Sequence, residues 1–242
     1  MIPRKGDTPV ADNKNQSTQQ NKANLFSGHP EKEFFFWVNP KNYMTFHNIH
    51  ITGHMCSNPI PETGTSAEDN LLFIPNPKYK GSITPYQNNI VKRIRAEYFL
   101  EFYRPKHYPA RTHALFICNS KDEAVKYSEI HPDHTKGRVL IKGSPTGGNL
   151  FSIHDSGWFD FLCKDASIDE ETAKQCSLAY WSGAMVSDCQ LQLYGNPWTQ
   201  PATMEVLFYG QIKISEEHKK EIHDLFKKAY QETPWEYPKM YL

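Results

Sequence analysis

Large apolar side chains are spread unevenly along this chain. Half of residues 1–30 are Asn, Gln, Lys, Ser or Pro, with few large apolar groups among the rest. They hold too little apolar surface to offset the entropy of ordering, so they read as a disordered tail, with residues 31–242 as a single domain. The run Phe34–Val38, closed by Asn39-Pro40, has the length and aromatic content of a buried strand. From Asn39 to Pro85 the recurrence of Pro, Asn and Gly predicts loop, with one short strand at Leu71–Ile74. Pro85 then opens a helical pattern in which Val91, Ile94, Tyr98 and Phe102 share a face, and Pro105 stops it.

Beyond Pro105, Thr112–Cys118 predicts a strand. Ser120-Lys121-Asp122-Glu123 has capping-box form and starts a helix through Tyr127. Arg138–Lys142 and Asn149–His154 predict two strands around a turn at Ser144–Gly148. A second capping box, Ser167-Ile168-Asp169-Glu170, opens a helix to about Trp181. Glu205–Ile214 alternates as a strand near the core. Ser215 caps a last helix with Ile222, Leu225, Phe226 and Ala229 on one face, and Pro234 ends it. Strands and helices mix without regular βαβ units and without an internal repeat, so the expected class is α+β.

Composition narrows the picture. The chain has 242 residues, 38% hydrophobic and 13% aromatic, enough for one substantial core. Its 27 basic and 27 acidic side chains cancel, so no global field points to nucleic acid or membrane, while a local basic patch stays open. The five cysteines are odd in number, form no C-x-x-C and sit partly in apolar segments, as expected of buried thiols in a reducing cytosol. No run of about 18 apolar residues predicts a membrane span, and Met1–Ser27 lacks the apolar run of a signal peptide. A cytoplasmic protein is expected.

Several clusters have an ordinary reading. His47, His50, His54 and Cys56 have spacings open to zinc, but no second ligand half accompanies them, so no metal is expected. His131 and His134 flank a Pro-Asp turn and read as solvated loop residues. Cys118 and His113 fall on opposite faces of their strand, which rules out a nucleophile–base pair. Basic and aromatic residues interleave through Lys92, Arg93, Arg95, Tyr98 and Tyr103. They could contact phosphates and stack bases, but the apolar period favours a solvated helix face over a packed stripe.

Three segments carry candidate chemistry. Arg111, in Pro109-Ala110-Arg111, stands at the mouth of an apolar strand, where a guanidinium fork could grip a pyrophosphate or ribose oxygen. Tyr180-Trp181 lies at a helix end, where a tyrosine could stack on a planar heterocycle. Glu205 begins a strongly apolar strand, and a carboxylate there could steady positive charge on a sugar ring. Alone, each is more ordinarily a surface arginine, a core aromatic pair and a strand-edge acid.

In order, however, these segments resemble the ADP-ribosyltransferase superfamily, and within it a bacterial group of toxin or effector type. The likeness rests on Trp37-Val38-Asn39-Pro40-Lys41, the helix after Pro85, Pro109-Ala110-Arg111, Tyr180-Trp181 and Glu205-Val206-Leu207, and spans residues 33–214. It implies a mixed fold with a split central β-sheet flanked by helices. It also implies that NAD+ is consumed as substrate, with Glu205 catalytic, Tyr180 stacked on nicotinamide and Arg111 holding the dinucleotide. Trp181 would lie in the same site. No Rossmann glycines are needed, and Gly143 to Gly148 does not form them. Trp37 falls where the superfamily usually carries a His or Arg for the adenosine ribose, so that job passes to Arg111 or Arg104. Thr203 stands where arginine-modifying members carry a second Glu. The implied acceptor is therefore macromolecular, a nucleic-acid base ahead of a protein side chain, with toxin or phage-defence biology and a neutralising antitoxin or chaperone as partner. An NAD+ glycohydrolase and a non-enzymatic NAD-binding module are the alternatives. The site of action would be the cytoplasm of the producing cell or of a target cell.

Overall fold

The computed structural model describes residues 24–28, 31–57, 85–164 and 168–232. The strands are β1 (Leu25–Ser27), β2 (Phe34–Val38), β3 (His54–Cys56), β4 (Leu115–Ile117), β5 (Val139–Asp155), β6 (Gln192–Leu193), β7 (Asn196–Pro197) and β8 (Met204–Ile214). The helices are α1 (Tyr43–Phe46, continued by a π-helical turn His47–Thr52), α2 (Pro85–Phe102), α3 (Lys121–Ile130), α4 (Pro132–Thr135), α5 (Gly157–Lys164), α6 (Glu170–Ser182) and α7 (Glu216–Glu232). The result is a mixed α+β arrangement around an antiparallel sheet, with β6 and β7 forming a small separate hairpin.

Two long strands form the spine. β5 and β8 pair from Gly143↔Ile214 to Asp155↔Met204, with one register shift between Thr146 and Leu150. The two strands foreseen at Arg138–Lys142 and Asn149–His154 are therefore one. The expected turn is instead a bulge, because Ser144, Pro145 and Thr146 keep their partners on β8. Gly210 lies opposite this bulge with φ of 129°, a backbone open essentially to glycine alone. The outer edge of β5 carries β2 from Phe34↔Gly143 to Val38↔Val139 and β1 from Leu25↔Ser152 to Ser27↔Leu150. The outer edge of β8 carries β4 and β3 in the same divided manner.

β2 meets the residue just after β4 at an isolated bridge, Phe35↔Cys118, with N–O distances of 3.0 and 2.7 Å. Continued in register, it would set Phe36 against Ile117 and Trp37 against Phe116. Among the described residues the ladder stops, and those four side chains line a cavity instead. The sheet thus opens along a seam.

Alternation along β8 divides the core. Leu207 faces α2, α5 and α6, packing with Phe99, Leu100, Trp158, Phe161 and Trp181. Val206 and Phe208 face the other way, among Phe34, Phe36, Ile117, Ile141 and Ile222. Glu205 shares the parity of Leu207. Gly143 sits between β2 and β8 with no room for a side chain. A Cβ there would come 2.5 Å from an Ile212 methyl and 2.6 Å from the Lys213 carbonyl oxygen. Gly143→Ala is expected to lower unfolding free energy by about 1–3 kcal/mol, read from denaturant melts, since the clash is partly with backbone.

Several expectations change. The tail reading fails for Asn24–Gly28: β1 pairs with β5, and the Asn24 carbonyl accepts from Ile153 N at 3.1 Å. The strand before α3 is shorter, because His113 N turns back onto Ala110 O at 3.1 Å. The cap of α6 is Asp169, whose carboxylate accepts from Thr172 N at 2.8 Å. The Ser120 box does cap α3, with Glu123 N donating to Oγ at 3.2 Å. Helix α5 was not foreseen. Its apolar positions Trp158, Phe161 and Leu162 span too few turns to announce a period. The strand expected at Leu71–Ile74 and the start of the second capping box, Ser167, lie outside the described residues.

Candidate active site

The parity that buries Leu207 also turns Glu205 toward the helical layer. There it meets Tyr180, from the last turn of α6, whose hydroxyl donates to Glu205 Oε1 at 2.6 Å. Arg111 arrives from the turn that follows α2. It donates from Nη1 to Tyr180 Oη at 2.6 Å and to Glu205 Oε1. Its Nε and Nη2 fork onto Glu97 of α2 at 2.9 and 3.3 Å. The guanidinium carbon lies 4.9 Å from the ring centre of Phe116 and 4.7 Å from that of Phe159, and the arginine side chain is 4% exposed. Three segments distant in sequence are thus locked around one carboxylate.

The electrostatics follow. Burial pushes the Glu205 carboxyl above its ordinary value, and the Arg111 charge only partly offsets this. Burial works against the Arg111 charge, but Glu205 and Glu97 outweigh it and hold the guanidinium protonated. Burial keeps the Tyr180 phenol neutral. Behind Tyr180, His154 is paired across the strands with Glu205. Its ring stacks on that of Tyr180 at 4.3 Å and 19°. His154 Nδ1 lies 2.8 Å from the Tyr180 carbonyl and Nε2 lies 2.8 Å from Ser152 Oγ. A carbonyl can only accept, so Nδ1 carries the hydrogen and Ser152 donates to Nε2. Burial lowers the His154 pKa to about 3, so it is a neutral support.

Glu205 and Arg111 form part of the wall of a cavity of about 270 Å³, which Trp37 also lines. Trp37 is held by its indole N–H, which donates to Ala124 O at 3.1 Å. A second cavity of about 270 Å³ shares Phe36, Trp37, Phe116, Ile117 and Arg138 with the first, extending it along the seam.

The other candidates take different parts from those expected. Tyr180 is 0% exposed, so it has no ring face for nicotinamide, and its part is to hold Glu205. Trp181 is a core residue whose indole N–H donates to Leu100 O at 2.6 Å. Arg104 binds Glu101 at 2.7 Å and the Tyr108 carbonyl at 2.8 Å, bracing the turn after α2 rather than lining the cavity. Of the histidine-rich stretch, His50 stacks on Phe46 and His223 at 5.0 and 4.5 Å. No group of three or more potential metal ligands comes together among the described residues.

The cavity also holds residues that pattern reading did not select: Glu97, Tyr127, His131, His134, Arg138 and Asp160. For Glu97 a signal existed, since Arg93 lies four residues earlier on α2 and both reach the cavity. Asp160 belongs to the unforeseen α5. Among the described residues no helix is long and apolar enough to cross a membrane. Set against known protein families and curated proteins, the sequence matches none.

Proposed function

We propose that this chain is an NAD+-consuming mono-ADP-ribosyltransferase of toxin or phage-defence type, acting on a macromolecule, with a nucleic-acid base favoured over a protein side chain. The observation that carries the reading is the convergence of Arg111 and Tyr180 on Glu205, with Arg111 and Glu205 in a cavity wall. Breaking the nicotinamide–ribose bond develops positive charge at the anomeric carbon. A carboxylate fixed by two hydrogen-bond donors steadies that charge without reorganising. The open seam between β2 and β4 supports a split-sheet fold, and the two cavities that share Phe36, Trp37, Phe116, Ile117 and Arg138 along it are where the dinucleotide is placed in this reading.

In this reading Arg111 aims the acid rather than gripping NAD+, because Glu97 and Glu205 already occupy its donors. Arg138 takes the pyrophosphate. It lines both cavities and makes no ion pair among the described residues. Trp37 supplies an aromatic wall for one of the bases. Arg138→Ala should raise KM for NAD+ about tenfold with kcat little changed, the signature of a lost charged hydrogen bond that helps substrate and transition state alike.

NAD+ glycohydrolysis is the second reading. Thr203 is buried and its hydroxyl accepts from Ser156 Oγ at 3.0 Å, so it cannot activate a bulky acceptor. A neutralising antitoxin or chaperone as partner, and a cytoplasmic site of action, complete the proposal. The test is incubation with NAD+ labelled in its adenylate, together with RNA, DNA or lysate protein. Label on one polymer supports transfer, and free ADP-ribose alone supports hydrolysis. Intact NAD+ in every mixture overturns both.

A further inference from the structure

The same cavity has a wall that the carboxylate chemistry does not use. The junction of α3 and α4 presents Tyr127, His131 and His134, and α5 presents Asp160. His131 ends α3, its N–H donating to Tyr127 O at 2.9 Å, and Pro132 starts α4 directly after it, so its backbone is held from both sides. Its Nε2 lies 3.5 Å from Asp160 Oδ2, with side chains 13% and 22% exposed. The His134 ring is parallel to it within 9° at 5.3 Å, and the Tyr127 ring packs at 4.8 Å. His134 has its Nδ1 engaged with the Tyr127 hydroxyl at 2.9 Å. Among the described residues no hydrogen bond engages Nδ1 of His131.

We propose that His131, oriented by Asp160, is the base that deprotonates the acceptor in the transfer reaction. This rests on the NAD+-cleaving reading of Glu205. As the ribose C1′–N bond breaks, nicotinamide leaves with the electron pair as a neutral molecule. The acceptor oxygen or nitrogen bonds to C1′, and its proton passes to the His131 imidazole and then to solvent. NAD+ and a protic acceptor therefore yield the ADP-ribosyl adduct, nicotinamide and one proton, with no other co-reactant.

The surroundings suit a base. Burial and then the Lys164 charge lower the His131 pKa, so the imidazole is neutral and able to accept a proton. Burial, His131 and Arg93 lower that of His134, with Arg138 adding to it and Asp160 opposing. Burial, followed by Glu205, pushes the Tyr127 phenol up to about 12, leaving it a hydrogen-bond donor and not a rival base. Burial raises the Asp160 carboxyl, against Lys164, His134 and Arg111. The proposed acid-stabiliser and the proposed base thus line one cavity on separate elements, which a two-sided displacement at C1′ requires. They also compensate for Thr203, which supplies no carboxylate to the acceptor.

The experiment compares wild type, His131→Gln, Asp160→Asn and Glu205→Gln, with water or sodium azide as acceptor. Nicotinamide, ADP-ribose and the azide adduct are quantified, and thermal melts and NAD+ binding check the fold. Azide is an anion with no proton to remove. His131→Gln should lower hydrolysis about a hundredfold, Asp160→Asn about tenfold, and azide should restore both toward the wild-type azide rate. Glu205→Gln should stay inactive with either. Undiminished hydrolysis by His131→Gln overturns the proposal, as does failure of azide to restore a variant that melts and binds NAD+ normally. If the wild type itself leaves NAD+ intact under all conditions, the underlying reading fails, and that outcome is visible separately.

Discussion

Glu205→Gln is expected to reduce kcat/KM for NAD+ cleavage about a thousandfold, a loss of about 4 kcal/mol of transition-state stabilisation. The amide keeps the size of the side chain and can still accept from Tyr180 and Arg111. The fold should therefore survive, and the loss should fall on kcat rather than KM, because the missing charge matters only once the ribose turns cationic. Initial rates of nicotinamide release measure it. A variant that cleaves NAD+ at the wild-type rate would remove the acid from the mechanism.

The second large effect concerns stability. Arg111→Met removes the cation shared by Glu97 and Glu205, whose side chains are 26% and 12% exposed. Two acids would then face each other at a partly buried site, at a cost of about 3 kcal/mol of unfolding free energy. The penalty should shrink on acidification. The Glu205 carboxyl already sits above its ordinary value because of burial, and losing Arg111 raises it further. The native state then holds a proton that the unfolded chain releases near about pH 4.3. Stability is retained below that point and falls as pH rises through the folded value. Denaturant melts of both proteins from pH 5 to 8 test this. Adding Glu205→Gln to Arg111→Met should recover part of the loss, and an additive double variant would show the two groups uncoupled.

How far the sequence foretold all this depends on the kind of signal. The strand at Phe34–Val38, the helix opened by Pro85 and the last helix announced themselves through period and punctuation, which are local. Arg111, Tyr180 and Glu205 stood out because each chemical group bordered an apolar element, and they do meet. What each does was less visible. Whether Tyr180 offers a ring face depends on His154, a strand residue whose partner lies on α6. Arg104 looked as able as Arg111 to hold the adenosine ribose, and its bonds to Glu101 and the Tyr108 carbonyl settle its bracing part. His131 and His134 read as solvated because the Pro-Asp turn between them is polar. They line the cavity together with Asp160 and Phe159 of α5, an element too short to show a period.

One feature of the fold links β1 to the strand residues behind Glu205. Tyr108 donates its hydroxyl to Asn24 Oδ1 at 2.7 Å, and Asn24 Nδ2 donates to the Ile153 carbonyl at 3.1 Å, one residue before the histidine that backs Tyr180. The segment 24–28 is therefore a rear brace for the acid. Whatever peels that short ribbon away, whether a protease or a molecule that grasps the stretch ahead of it, would slacken the aim of Glu205 from behind while leaving the cavity lining untouched.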